Sequence, residues 1–243
     1  MKNSMDKFRT IKLGDTDYPE QIKRIIHRKA PLCLNVMGNI DILKMVGIGF
    51  CGSRHASLKG LEVAQDCAEQ TVRQGFSVIS GAAKGVDCKV HLSCLKEGGK
   101  TILVLSEGIN HFRIKKELKP FWNWDRVLVI SQFEPDDSWQ SFRAMARNSL
   151  IIALSRAMFV IEAGAKGGTL AAGKETLKAG IPLYVAEYQD MPDHAIGNQF
   201  LLEMGARKFA KSKTTQRARL EKIFKNIRDN QPLNTVSPQG VLV

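Results

Sequence analysis

From about residue 44 the chain alternates short runs of apolar, β-forming residues with longer amphipathic stretches. The apolar runs fall at 46–51, 76–80, 101–105, 127–131, 157–162 and 182–185. Helical periodicity predicts helices between and after them, near 58–73, 86–97, 113–123, 139–154, 169–179 and 197–205. Parallel neighbours need long crossover connections, and strands separated by helices supply them. The pattern therefore predicts an α/β fold, doubly wound, with a mostly parallel sheet covered on both faces. Such sheets bind ligands outside the carboxyl ends of their strands, near the switch in strand order, so the residues just after each strand carry the chemistry.

Residues 1–43 show a different pattern. A short helix is predicted from Tyr18-Pro19 to Ile26, then an extended stretch over 32–37, with a break at Gly38-Asn39. The predicted organisation is an N-terminal extension packed on the sheet (1–43), an α/β domain (44–210) and a basic helical tail (211–243).

Composition narrows the class. At 243 residues, with 44% hydrophobic and 25% charged, the chain has the balance of a soluble globular protein, which excludes global disorder and coiled coil. No apolar run approaches the roughly 18–20 residues of a membrane span. The first ten residues are basic without an apolar core behind them, so a cytoplasmic protein is expected. Five cysteines, with no C-x-x-C pair, exclude a disulfide scaffold. Cys88, His91 and Cys94 lack the second close pair of a zinc site, so no metal is expected. No cofactor is implied either.

The formal charge of +12 suggests a polyanionic partner only if it clusters. Nine basic residues against two acidic ones between Arg207 and Asp229 give this tail +7, leaving +5 for the rest. Leu220, Ile223, Phe224 and Ile227 recur there at helical spacing. The tail reads equally as a solvated basic helix packed by its apolar stripe and as a direct phosphate contact.

The loops are more informative. Gly47-Ile-Gly-Phe-Cys-Gly52 matches G-x-G-x-x-G, but its glycines lie within a strand and Ser80-Gly81 ends the next strand without a carboxylate, so dinucleotide binding is not expected. Gly52-Ser53-Arg54 instead places a turn, a hydroxyl and a guanidinium at the sheet edge, and Arg grips phosphate bidentately. Ser80-Gly81-Ala82-Ala83-Lys84-Gly85 ends the second strand with small residues and a lysine before a helix, where backbone N–H groups favour anions. Glu162-Ala-Gly-Ala-Lys166-Gly167-Gly168-Thr169 forms the clearest anion cradle, and Arg143 and Arg147 share one helical face. Surface arginines and tight turns explain each motif singly; their convergence on one edge favours phosphate binding. Among the histidines, His91 reads as a packed or hydrogen-bonded side chain, while His55 and His111 have no evident carboxylate partner. Phe121, Trp122 and Trp124 read as a core or dimer contact before a base-stacking one.

In order and spacing these motifs resemble the DprA/Smf family. The resemblance runs from Tyr18-Pro19 and Gly38-Asn39 through Gly52-Ser53-Arg54, Ser80 to Asp87, His91, Gly98-Gly-Lys-Thr101, Arg147-Asn148 and Gly167-Gly-Thr-Leu170 to Gly197-Asn198 and Gly205-Ala206. It covers about residues 18–210. It implies an extended Rossmann-like domain, homodimers, single-stranded-DNA binding without sequence readout and a RecA-type recombinase as partner. By position, Arg54, Lys84, Arg147 and Lys166 would line a basic pocket with the backbone of Gly167, Gly168 and Thr169. The chain departs from the family at Ser149, where the pattern has a third basic residue. It departs again at His111-Phe-Arg-Ile-Lys115, in place of a Tyr-Pro element, and the larger winged-helix end of some members is not expected, the basic tail standing in its place. The alternative is a nucleotide-binding or hydrolysing protein similar to LOG-type phosphoribohydrolases. Their Pro-Gly-Gly-x-Gly-Thr-x-x-Glu loop would require an acid where this chain has Ala172, and Glu175 lies about two turns from Thr169. No catalytic constellation is visible.

Overall fold

The computed structural model describes residues 8–188 and 191–229. They form one nine-stranded sheet between two helical layers. The strands are β1 (Arg9–Lys12), β2 (Cys33–Gly38), β3 (Gly47–Cys51), β4 (Ser77–Gly81), β5 (Thr101–Val104), β6 (Val127–Ser131), β7 (Ala157–Val160), β8 (Leu183–Ala186) and β9 (Arg207–Phe209). The helices are α1 (Glu20–Ile26), α2 (Leu58–Arg73), α3 (Val86–Lys96), α4 (Ser141–Leu154), α5 (Gly168–Lys178), α6 (Ile196–Glu203) and α7 (Glu221–Asp229).

The spatial order is β1-β2-β6-β5-β4-β3-β7-β8-β9. From β6 through β9 every pairing is parallel, with β3 at the centre; β4, β5 and β6 step away to one side and β7, β8 and β9 to the other. The doubly wound architecture expected from the alternation is thus present, and its switch point lies between β3 and β7. The N-terminal residues extend the same sheet: β2 pairs antiparallel with β6, Val36 opposite Ile130, and β1 pairs antiparallel with β2.

Burial on both faces explains the uninterrupted apolar strands. Along β7, Ala157 and Phe159 join the core beneath α2, α3 and α7, while Met158 and Val160 join the core beneath α1, α4, α5 and α6. In the tail, Leu220, Ile223, Phe224 and Ile227 are all buried, and the Phe224 ring lies 5.7 Å from Phe76 and 6.3 Å from Phe159. Of the two readings of the tail, its apolar stripe is therefore a component of the core. Residues 230–243 of the expected tail lie outside the described residues.

One predicted helix is absent. Over 113–123 only a single 3₁₀ turn forms, Lys119–Phe121. Pro120 has no N–H to donate and its ring would collide with the carbonyl four residues back, so the helical spacing of Ile114, Leu118 and Phe121 is not realised as a helix. Phe112, Trp122 and Trp124 instead form an aromatic cluster, with Trp122 and Trp124 edge to face at 5.1 Å.

Candidate phosphate-binding cleft

The glycines of β3 pack rather than bind. A Cβ on Gly47 would stand 2.2 Å from Ile79 Cδ1, and one on Gly49 2.0 Å from Met158 Sδ. Helix α2 begins only at Leu58, so these glycines open no helix.

The loop after β3, in contrast, forms a site. Gly52-Ser53-Arg54 and the turn after β4 meet at the carboxyl edge: a Cβ on Gly52 would strike Val86, and one on Gly85 would lie 2.3 Å from the Ser53 carbonyl oxygen. Gly85 also has a φ of +73°, a conformation in which a side chain is strained. This close approach brings Arg54 and Lys84 to one cleft of about 410 Å³, lined also by His55, Glu107, Lys115 and Trp139. Arg54 and Lys84 are exposed. Lys115 crosses the floor and donates to the Ala83 carbonyl at 2.7 Å, holding the β4 turn in place. None of the three cations has a carboxylate partner among the described residues. The Arg54 guanidinium stands 5.8 Å from the ring centre of Trp139, which is 48% exposed, so a charge and an aromatic face are offered together.

Arg147 occupies a different position from the one expected. It is 6% exposed and lies beneath the cleft, its Nη1 donating to the Val104 carbonyl at 3.3 Å and standing 3.8 Å from Asp87. Burial lowers its pKa; the Asp87 carboxylate opposes that, and the Arg54 charge adds to it. A Cβ on Gly81 would fall 1.4 Å from Arg147 Nη1, so Gly81 is the groove through which this guanidinium passes. Asp87 in turn accepts from Ser80 Oγ at 3.0 Å and the Ala83 amide at 3.3 Å. Ser80, Gly81, Asp87 and Arg147 thus shape the turn that presents Lys84. Arg143 is tied to Asp137 at 2.5 Å and does not line the cleft.

Lys166, Gly167 and Gly168 are exposed at the start of α5, apart from the cleft lining, with Thr169 half-buried behind them. Gly167 has a φ of +109° with open space where a Cβ would be, and Gly168 meets only Met145 Sδ at 3.8 Å, so the backbone of this loop is accessible. The acid considered for a LOG-type loop serves elsewhere: Glu175 accepts a hydrogen bond from the Ser149 hydroxyl on α4, while Ala172 is buried. Among the described residues no group of three His, Cys, Asp or Glu side chains is placed to hold a metal ion.

Three features escaped the sequence reading. Lys115 comes after β5 by a long irregular stretch, so spacing alone did not bring it to this edge. Trp139 sits just before α4 and faces Arg54 only through the fold. The third is Glu162, a wholly buried carboxylate at the switch point. It accepts from the Ser57 amide at 2.8 Å and the Ser57 hydroxyl at 2.5 Å, and has His194 Nε2 at 3.3 Å. Burial first, and then the Glu162 charge, pushes the neighbouring Tyr188 hydroxyl's pKa up. Ser57 Oγ accepts from the Gly60 amide at 2.9 Å, so Glu162 anchors the start of α2 through that helix's N-cap. The signal available was an unpaired acid at a strand end and a serine before a helix.

Fold and cleft together define a Rossmann-like protein that gathers Arg54, Lys84 and Lys115 at one edge of its sheet. Comparison with known proteins then makes the assignment: residues 9–219 match the family model of DNA recombination-mediator protein A, and the chain belongs to that family, the DprA/Smf proteins. It is 29% identical over 209 residues to DNA processing protein DprA of Streptococcus pneumoniae, covering 85% of this chain and 73% of the relative. The crystal structure of that protein superposes with a TM-score of 0.75 over 84% of this chain and 71% of the other. Protein Smf of Synechocystis is 30% identical over 165 residues, which span 66% of this chain but 41% of the relative. The fold is also shared with DNA processing protein A of Helicobacter pylori, whose structure concerns its single-stranded-DNA binding mode; there the TM-score is 0.73 at 21% identity, covering 93% of this chain and 97% of the other.

Proposed function

We propose that this chain binds single-stranded DNA through its phosphates at the carboxyl edge of the sheet, as a DNA-processing protein rather than an enzyme. The observation that carries the reading is the convergence of Arg54, Lys84 and Lys115, all without carboxylate partners among the described residues, on one cleft beside an exposed tryptophan. Cations that hold phosphates and an aromatic face that accepts any base are the two components of sequence-tolerant single-strand binding. Gly52, Ser53, Ser80 and Gly81 shape the cleft, and Lys166 with the Gly167-Gly168-Thr169 backbone offers a further contact along the strand. Family membership supports the same reading and adds a homodimer and a RecA-type recombinase partner in the cytoplasm, which co-purification with RecA and sedimentation would test.

Fluorescence anisotropy with single- and double-stranded oligonucleotides tests the binding itself. Each phosphate contact to a single strand contributes about −0.7 to the slope of log K against log salt. The three contacts of this cleft contribute about −2 to the slope, and on their account alone affinity falls roughly twentyfold between 50 and 200 mM salt. Arg54→Ala with Lys84→Ala should lower the slope magnitude by about 1.4 and weaken binding at least tenfold, an order-of-magnitude expectation for two lost phosphate contacts. Equal, weak binding of both DNA forms, indifferent to these substitutions, would overturn the proposal. Release of free base from nucleoside monophosphates would count against the non-enzymatic reading.

A further inference from the structure

A second basic cleft lies at the opposite, amino-terminal edge of the sheet. Its volume is about 360 Å³, and Arg24 from α1, Arg156 from the turn before β7 and Arg207 from β9 all line it, with Gln21, Tyr184 and Asn226. No Asp or Glu is among its lining residues. Arg207 is held in place, donating to the Tyr184 hydroxyl at 3.2 Å with its guanidinium 5.8 Å from the Tyr184 ring centre. The guanidiniums of Arg24 and Arg156 make no ion pair or hydrogen bond among the described residues.

Arginines at helix carboxyl ends often do no more than offset the carbonyl dipoles, and α1, α4 and α5 all end near this cleft. The magnitudes decide against that explanation. Three helix ends supply about −0.5 charge each, roughly −1.5 in all, against three full positive charges. The Leu154 carbonyl at the end of α4 is moreover already satisfied by Gln21 Nε2, at 3.3 Å. An uncompensated group of guanidiniums, one of them pre-oriented, has the chemistry of an oxyanion receptor, and the planar forks suit phosphate.

We infer that the Arg24–Arg156–Arg207 cleft is a second phosphate-binding site, independent of the cleft at Arg54 and taking the phosphodiester backbone of a single-stranded nucleic acid. Its choice of ligand rests on the function proposed above; its existence as a phosphate site does not. β7 alone separates the two edges by four residues, roughly 13 Å of strand, so the two clefts hold different phosphates of one strand or of two.

The test uses the full chain, thymidine oligonucleotides and inorganic pyrophosphate. Arg24→Gln with Arg156→Gln should reduce the salt slope by about 1.4, and should do so equally in the Arg54→Ala, Lys84→Ala background, because the clefts are separate. Since neither side chain bonds within the described residues, the melting temperature without ligand should stay unchanged. Adding Arg207→Gln should deepen the loss. Wild-type affinity and slope in the double and triple variants would overturn the inference. If the wild type binds no oligonucleotide but pyrophosphate raises its melting temperature, and not that of the double variant, the function proposed above fails while the cleft stands as a site for a small phosphate ligand. No response to either probe overturns both.

Discussion

The imidazole of His91 is enclosed by the protein, with Nδ1 2.7 Å from the Thr101 hydroxyl and Nε2 2.9 Å from the Gly81 carbonyl. A carbonyl only accepts, so Nε2 carries the proton of the neutral ring and Nδ1 faces the hydroxyl. Burial lowers the pKa to about 4 from its ordinary 6.5, the neighbouring Asp87 charge opposing the shift. The unfolded chain therefore takes up this proton at pH values where the native ring stays neutral. The contribution to stability is complete above about pH 6.5 and is lost as the pH falls from there towards 4. Urea unfolding over that window should show stability falling with a slope of about 1.4 kcal/mol per pH unit from this residue. His91→Gln should remove that component; an unchanged slope would show that the ring is not held neutral. Because His91 holds Gly81, and Gly81 makes room for Arg147, one protonation reaches the turn that presents Lys84.

At the scale of elements, the strand and helix alternation was legible because central parallel strands are apolar on both faces and amphipathic helices cover them. The edges were harder to read. β9 has three residues, too few for a pattern, and β1 exposes Arg9, Thr10 and Lys12 around a single buried Ile11. The helical apolar spacing over 113–123 forms no helix because Pro120 interrupts it. In the cleft, Arg54 and Lys84 come directly after their strands and were found by that rule. Arg147 was misplaced because helical spacing fixes the face a residue shares and not its depth in the core. Glu162 and Ser57 belong to different elements, brought together only by β3 and β7 pairing at the switch point. Their contact secures the start of α2. Ser57→Ala should cost about 1–2 kcal/mol, since it removes both an N-cap and a donor to a buried carboxylate. Chemical denaturation checks the value, and a loss below a few tenths would mean that the cap is dispensable.

Across the whole molecule, the charge of the tail and its structural role are separable. Its basic residues spread over the surface, and two of them meet acids of α2: Arg217 lies 2.7 Å from Asp66 and Lys211 3.6 Å from Glu62. Its apolar residues complete the core under the sheet. Phe224→Ala should therefore destabilise the entire domain by about 3–5 kcal/mol, read as a shift in the denaturation midpoint with the transition still single. A marginal loss confined to the tail would contradict this packing. Removing the tail from residue 211 onward is consequently not a neutral way to ask what its charges do, because the same cut opens the core. Substituting its exposed lysines one by one is the cleaner design.

The antiparallel insertion of β2 beside β6 also imposes a timetable on synthesis. Val36 faces Ile130, and the partner strand ends at Ser131, so β2 leaves the ribosome long before its neighbour has been made. At roughly 5–20 residues per second, the 93 residues from the end of β2 to the end of β6 take about 5–20 s to add. For that interval Leu34 and Val36, both buried in the finished protein, belong to a strand that has β1 beside it on one edge and no neighbour on the other. The strand made early, at the margin of the sheet, is thus among those that wait longest for a second neighbour.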